Sequence, residues 1–150
     1  MEKIIKLGEK EILIVEGIHA LNEELTYSID RKNKYKIYLC PLTVLSLDNH
    51  NRIRTTDNRL LRRIVRDNRT RGYSASDTLS SWGKVREGEE KYVFPFQDEA
   101  DVIFNTSLLY ELGVLRLYAE PLLFSVSEKD PYYGEAIRLI NVLRNVLPTT

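Results

Sequence analysis

The run from Arg52 to Arg71 limits the possible folds more than any other part of the chain. It carries eight of the thirteen arginines, and only Asp57 and Asp67 offset them. Twenty residues therefore hold a formal charge of +6 in a chain whose net charge is zero. Such a concentration of positive charge predicts an anionic partner, and the spacing of the arginines indicates which kind.

Read as a helix from about Asn58, this run separates into two faces. One face carries arginines at spacings i, i+3, i+4 and i+7, namely Arg59, Arg62, Arg63 and Arg66. The other face is apolar and can pack on a core, through Leu60, Leu61, Ile64 and Val65. Guanidinium groups bind phosphate oxygens in pairs and keep their charge near neutral pH. The pattern predicts a helix that holds several arginines over one surface.

The composition is that of one globular domain spanning residues 1–150, with 43% hydrophobic and 29% charged residues. No apolar run approaches the roughly 20 residues that a membrane span needs, and no signal peptide is evident. One cysteine, Cys40, excludes an internal disulfide framework and predicts a reducing, cytoplasmic location. We expect a buried structural thiol rather than a reactive one. His19 and His50 lack metal-ligand spacing, so no zinc site is predicted.

Short apolar runs alternate with helical patterns along the chain. Three runs are predicted strands, at residues 11–15, 36–40 and 101–104, and the first reads as buried on both faces, as in parallel sheets. Short helical character is expected around residues 42–47, and a helix follows Ser74, where Ser74 and Asp77 resemble a capping box. Two more helices are predicted after residues 105–107, which would cap the first, and after Pro131. The order indicates an α/β fold with helices flanking a parallel sheet.

Three features could carry chemistry. Glu16 follows the first predicted strand, where a carboxylate can order Mg²⁺ near nucleotide phosphates, although it could equally cap a turn or pair with an arginine. His19 is better explained by packing than by ligand binding. The arginine helix ends near Gly72, and a helix followed by a glycine turn is typical of a mobile lid over phosphates.

Two other interpretations of the arginine helix stay open. Charged helix faces are usually solvated and salt-bridged, and the acidic residues 87–90 could face the arginines. Nucleic-acid backbones also attract arginine clusters. Against nucleic acid, the whole chain is neutral, and no aromatic residues interleave with the arginines as a base-stacking surface requires.

Four stretches together resemble the uridine kinase/phosphoribulokinase family of P-loop kinases, most closely its bacterial uridine-kinase-like members. They are Ile14-Val15-Glu16-Gly17-Ile18-His19-Ala20, Thr56-Asp57-x-Arg59-Leu60-x-Arg62-Arg63-Ile64-Val65-Arg66-Asp67, Arg71-Gly72-Tyr73 and Ala100-Asp101-Val102-Ile103-Phe104-Asn105. The combination is specific, whereas each piece alone is weak. The resemblance implies a partial P-loop NTPase-like parallel sheet, with ATP and Mg²⁺ as cofactors. It also implies transfer of the γ-phosphoryl group to a hydroxyl of a nucleoside such as uridine.

By this resemblance, Arg66 and Arg71 are the catalytic residues that contact the transferring phosphates. Arg63 and Tyr73 would lie at the acceptor nucleoside, and Glu16 would support Mg²⁺ from the end of the Walker-B-like strand. Tyr73 departs from the arginine that uridine kinases often carry there, which puts the choice of nucleoside in question. The stretch 41–55 is also longer than the corresponding loop of ordinary uridine kinases.

The sequence contains no G-x-x-x-x-G-K-[ST] motif. The resemblance places the P-loop and the catalytic aspartate before residue 11, so the chain reads as the C-terminal portion of a longer kinase. We expect it to be inactive or very weak alone, and to associate with the missing N-terminal half or with a second copy. A non-catalytic anion-binding or regulatory module is the alternative, and an RNA-associated domain is a weaker one.

Overall fold

The computed structural model describes residues 5–149 and shows two parallel strands and four α-helices in this part of the chain. The elements are β1 (Ile37–Cys40), α1 (Thr55–Arg71), α2 (Ala75–Tyr92), β2 (Val102–Asn105), α3 (Glu111–Phe124) and α4 (Tyr133–Arg144). Short 3-10 turns occur at Glu23–Leu25, Arg31–Asn33 and Phe94–Glu99. This mixed arrangement confirms the predicted α/β class. No helix in residues 5–149 is long and apolar enough to cross a bilayer.

The two strands lie parallel, with Ile37 opposite Val102 and Cys40 opposite Asn105. The connection between them runs through α1 and α2, because parallel neighbouring strands need a long crossover connection. Their positions confirm two of the three predicted strands. Their burial does not follow the prediction of a covered sheet, because Cys40 alone is buried in β1 and β2 is exposed throughout. The helices pack mainly on one another and leave much of the sheet open.

The prediction of a strand at residues 11–15 is wrong. This segment is extended but pairs with no strand, and Ile12 and Ile14 are 89% and 87% exposed. A strand gains its backbone hydrogen bonds only from a neighbouring edge. In residues 5–149, the sheet contains only β1 and β2, and residues 11–15 form no strand pairing. The segment thus has the apolar pattern of a strand but no partner strand among the described residues.

Helix α1 begins at Thr55, a turn earlier than predicted, and buries the apolar face that the spacing indicated. Leu60, Leu61 and Ile64 are fully buried there. They join a core with residues of the last two helices, including Leu112, Leu123, Leu139, Ile140 and Leu143. Each such leucine contributes about 1.5–3 kcal/mol of transfer free energy. The helical core, rather than the small sheet, therefore holds the molecule together.

The junction between α1 and α2 follows the sequence signals closely. Gly72 ends α1 in the left-handed region at φ 69°, and its N–H donates to the Asn68 carbonyl at 3.1 Å. Ser74 and Asp77 form the predicted capping box, in which the Asp77 N–H donates to Ser74 Oγ at 3.1 Å. The Ser74 N–H donates to Asp77 Oδ2 at 2.9 Å in return. The two helices are thus separated by a turn of defined geometry.

The helical character predicted at residues 42–47 is wrong, because this stretch forms one arm of a tight hairpin. The Leu47 N–H donates to the Asn51 carbonyl at 2.7 Å, and the Ile53 N–H donates to the Leu45 carbonyl at 3.0 Å. Asp48 Oδ1 accepts the N–H groups of His50 and Asn51, at 2.7 and 2.8 Å. Such side-chain bonds to the backbone compete with a helix and favour a turn.

The helix predicted to be capped by residues 105–107 begins later, at Glu111. Asn105 is engaged elsewhere, since its amide bonds the N–H and the carbonyl of Leu42 at 2.9 and 3.1 Å. It therefore ties the ends of the two strands together instead of starting α3. The last helix follows Pro131 as predicted, but Leu147, which the periodicity assigned to it, lies beyond its end and is exposed.

Candidate phosphate-binding site

The C-terminal half of α1 is organised around one buried carboxylate, Asp67, whose side chain is 1% exposed. Arg63 Nε lies 3.1 Å from Asp67 Oδ2. Arg66 donates to Oδ1 through Nη2 at 3.0 Å and Nε at 3.1 Å, and Arg71 donates through Nη1 at 3.3 Å. Arg63 and Arg71 stand one helical turn before and after Asp67, which is why α-helical spacing brings them together. We call these four residues the Asp67 cluster.

The Asp67 cluster keeps an excess of positive charge. Three arginines and one aspartate give a net charge of +2, and the side chains of Arg66 and Arg71 are 54% and 51% exposed. Each guanidinium has five N–H donors, and the carboxylate engages only some of them. Asp67 thus holds the arginines in place and leaves some of their donors unused. The arrangement suits a multiply charged oxyanion such as a phosphate chain.

Tyr73 is tied to the cluster by its backbone. The Tyr73 N–H donates to the Asp67 carbonyl at 3.3 Å, and the Tyr73 carbonyl accepts from Asn68 Nδ2 at 2.9 Å. Its side chain is exposed. The left-handed turn at Gly72 therefore fixes where Tyr73 leaves the helix, next to the residues that hold the arginines.

The N-terminal half of the arginine face is used differently. Arg59 pairs with the buried Glu89 of α2, and Arg62 makes a two-pronged pair with Glu111 of α3. The acidic stretch 87–90 therefore does face the arginines, through Glu89. These pairs join α1 to its neighbours, so the salt-bridged interpretation describes this half of the helix. The excess charge belongs to the C-terminal half.

Glu16 is not brought to the Asp67 cluster. It follows the unpaired segment, is exposed, and makes no hydrogen bond or ion pair within residues 5–149. The same range contains no group of three or more His, Cys, Asp or Glu side chains that could hold a metal ion. The role of Glu16 in supporting Mg²⁺ therefore stays a prediction. His19 stands edge-on to the Tyr92 ring, with centroids 5.4 Å apart, which favours packing.

Cys40 is a buried free thiol, as expected from its apolar surroundings. Burial raises the pKa of Cys40, so the thiolate that reactive cysteines need is disfavoured. Burial also raises the pKa of its neighbour Tyr38.

One feature of this part of the chain had no signal in the sequence. Arg138 of α4 binds both oxygens of the buried Asp57, at 2.9 and 2.8 Å, across 81 positions of the chain. Hydrogen bonds to Glu135 and then to Asp57 raise the pKa of Arg138, which remains charged. Beside this pair lies a cavity of about 390 Å³. Residues so far apart in the chain carry no shared motif, and only the packing of α4 on α1 brings them together.

Two parallel strands with four helices are consistent with a partial P-loop NTPase fold. The sequence profile described as "Phosphoribulokinase / Uridine kinase family" matches residues 3–109. The chain belongs to this family. No curated protein and no solved structure matches the chain significantly.

Proposed function

We propose that this chain is a portion of an ATP-dependent kinase that transfers a phosphoryl group to a nucleoside hydroxyl, with uridine as the leading acceptor. Family membership supports a kinase origin. The observation that carries the proposal is the convergence of Arg63, Arg66 and Arg71 on the buried Asp67. A structural ion pair needs one arginine per carboxylate, whereas this cluster holds three and leaves their donors open.

The roles of the arginines follow from the charge that develops during transfer. Negative charge spreads over the equatorial oxygens of the moving phosphoryl group. Arg66 and Arg71, the more exposed pair, would stabilise that charge, and their preorganisation by Asp67 avoids reorganisation during the reaction. Arg63, the least exposed of the three, and Tyr73 would lie toward the acceptor.

Turnover requires groups that this sequence does not contain. A P-loop supplies backbone N–H groups and a lysine for the phosphates, and a base activates the hydroxyl. We propose that these come from a partner segment, that Mg²⁺ arrives with the nucleotide, and that the chain alone has little or no activity. A cytoplasmic location is part of the same proposal, in keeping with its single free cysteine.

ATP binding tests the cluster directly. We expect R66Q/R71Q to weaken ATP binding, measured by calorimetry, about 100-fold or more, because each of the two charge-assisted hydrogen bonds contributes about 1.5–3 kcal/mol. The matched control is R69Q, since Arg69 is an exposed arginine of α1 with no ion pair among residues 5–149. An equal loss of affinity in both variants would show that net charge alone causes the effect. It would contradict the assignment of ATP binding to the Asp67 cluster.

Activity separates the kinase from the other candidates. ADP release with ATP, Mg²⁺ and uridine would be measured for the chain alone and with a separately made P-loop segment of a related kinase. Activity only in the mixture supports the proposal. ATP binding without turnover in either case supports a non-catalytic regulatory module. Preference for polynucleotides over ATP, with a steep salt dependence, would instead indicate an RNA-associated domain.

A further inference from the structure

A second group of arginines, at the other end of α1, has no carboxylate partners. Arg52 and Arg54 flank the start of the helix, and neither forms an ion pair with any residue from 5 to 149. Arg52 donates only to the Thr43 carbonyl, at 3.3 Å. This contrasts with Arg59, Arg62 and the arginines of the Asp67 cluster, which are all paired.

The backbone directs both arginines to the same side. Ile53 between them is 4% exposed and belongs to the core, so its two neighbours in this extended segment point away from the core. The hairpin that carries them is held by Asp48, whose Oδ2 also accepts Asn51 Nδ2 at 2.7 Å. The hydrogen bond from Asn51 and those from the backbone lower the pKa of Asp48, so this brace persists at neutral pH.

Both arginines line the cavity of about 390 Å³ beside the Asp57–Arg138 pair. That volume lies within the usual range of small-ligand sites. Asn51 and Asn145 also line it. Asn51 Nδ2 donates to Asp48 Oδ2 and Asn145 Nδ2 donates to the Asn141 carbonyl, so the amide oxygens of both residues remain available to accept from a hydroxyl. The cavity thus combines two open guanidinium groups with acceptors for hydroxyls.

The cavity lining carries more positive than negative charge, because Arg52, Arg54 and Arg138 outnumber Asp48 and Asp57. Arg54 is the N-cap residue of α1, where the helix dipole is positive, and no side chain caps the first turn. Asp57 pairs with Arg138, so Arg52 and Arg54 are the lining cations that have no ion pair within residues 5–149. A bound dianion would offset the repulsion between Arg52, Arg54 and the helix end.

We propose that this cavity is a binding site for a small phosphomonoester that carries hydroxyl groups, with Arg52 and Arg54 holding the phosphate and Asn51 and Asn145 the hydroxyls. It is distinct from the Asp67 cluster. Asp57 and Asp67 are ten residues apart on α1, which separates the two sites by about 15 Å at 1.5 Å per residue. The two sites can therefore be occupied and mutated independently.

The test is an NMR titration of the whole chain with glycerol 2-phosphate and with inorganic phosphate, following the backbone amides of residues 47–54. We expect saturable shifts with both ligands, and none with glycerol. R52Q/R54Q should weaken binding about 10- to 100-fold. R69Q, the matched control, and R66Q/R71Q should leave it within about twofold. Because Arg52 and Arg54 are exposed, the spectra of the variants should otherwise be preserved.

A second variant examines the hydroxyl contacts. N145A should weaken glycerol 2-phosphate and leave inorganic phosphate unchanged, a pattern that loss of folding cannot produce. No saturable binding, binding retained by R52Q/R54Q, or an equal loss in R69Q would each overturn the proposal. If R66Q/R71Q lost phosphate binding instead, the phosphate would lie at the Asp67 cluster, and the proposal would be overturned as well.

Discussion

Asp67 shows how one residue can decide what a charged surface does. A carboxylate has about four lone-pair positions, so a single buried aspartate can orient several guanidinium groups. In the sequence, Asp67 is one of two acidic residues that partly offset the charge of the arginine run. In the structure it is the residue on which three arginines converge.

Replacing this carboxylate should cost stability. We expect D67N to lower the free energy of unfolding by about 1–3 kcal/mol, because buried donors and acceptors lose charge-assisted partners. Urea unfolding measures this. D30N is the control, since Asp30 forms an exposed pair with Lys32 at 3.4 Å and should change stability by less than about 0.5 kcal/mol. Equal effects of the two variants would mean that Asp67 does not organise the cluster.

Replacing Gly72 and Gly88 by alanine should change the stability of the protein in opposite directions. Neither position has an atom within 4 Å of an added Cβ, so steric contact does not distinguish them. Gly72 has φ 69°, where alanine costs about 1–2 kcal/mol. Gly88 lies inside α2, where alanine gains about 0.5–1 kcal/mol. Thermal melts of G72A and G88A should move down and up respectively. A stabilising G72A would show that the turn is not formed.

At the scale of elements, β1 is held in place by a buried lysine beside it. Burial disfavours the charge of Lys36, but hydrogen bonds to Glu23 and Glu99 more than compensate and raise the pKa of Lys36. Lys36 Nζ lies 2.5 Å from Glu23 Oε1 and donates to Glu99 Oε2 at 3.1 Å. Hydrogen bonds from Lys34 and Lys36 lower the pKa of Glu23 from 4.5 to about 2. The Glu23–Leu25 turn is thereby linked to the strand.

This link predicts a pH-dependent stability. A carboxylate whose pKa is depressed on folding stabilises the protein above its unfolded pKa and loses that contribution as the pH falls through its folded pKa. E23Q should therefore lower the melting temperature most at pH 6–7, and the difference from the parent should shrink between pH 4.5 and about 2. Its neighbour provides the control, E24Q, which should show a small, pH-independent difference. A constant difference for E23Q would contradict the ion-pair explanation.

The elements also differ in how far they could be predicted. Helices α1 and α2 and the turn between them follow local signals, because a helix satisfies its backbone within its own segment. The segment 11–15 has an equally clear apolar pattern, but a strand depends on a partner elsewhere in the chain. The hairpin at 42–53 escaped prediction because Asp48 binds the backbone in a way that apolar spacing does not reveal.

At the scale of the whole molecule, the described part of the chain leaves much apolar surface uncovered. Leu39 of β1 and Phe104 of β2 are exposed, as are Ile12 and Ile14 of the unpaired segment. The edge of β1 opposite β2 has no partner strand in the described range. Exposed strand edges and apolar patches favour association. We propose that a partner or a second copy docks on the sheet region.

Charge on the sheet should suppress that association. We expect L39K/F104K to reduce binding of a hydrophobic dye and to shift sedimentation toward the monomer, because both positions are exposed and lysine disfavours edge pairing. L147K is the control, since Leu147 is also exposed but lies beyond α4. A well-behaved monomer with no dye binding in the parent chain would count against the expectation of a missing partner.

By itself, the sequence determined the α/β class, the two-faced arginine helix, the glycine turn and the capping box. The last three depend on residues within about one or two helical turns of each other, and the class follows from the order of the elements along the chain. Tertiary structure decided which arginines are neutralised by distant carboxylates, which keep open donors, and where Arg52, Arg54 and Arg138 meet. Ion pairs and cavities form between segments far apart in the chain, and their geometry is set only when the helices pack.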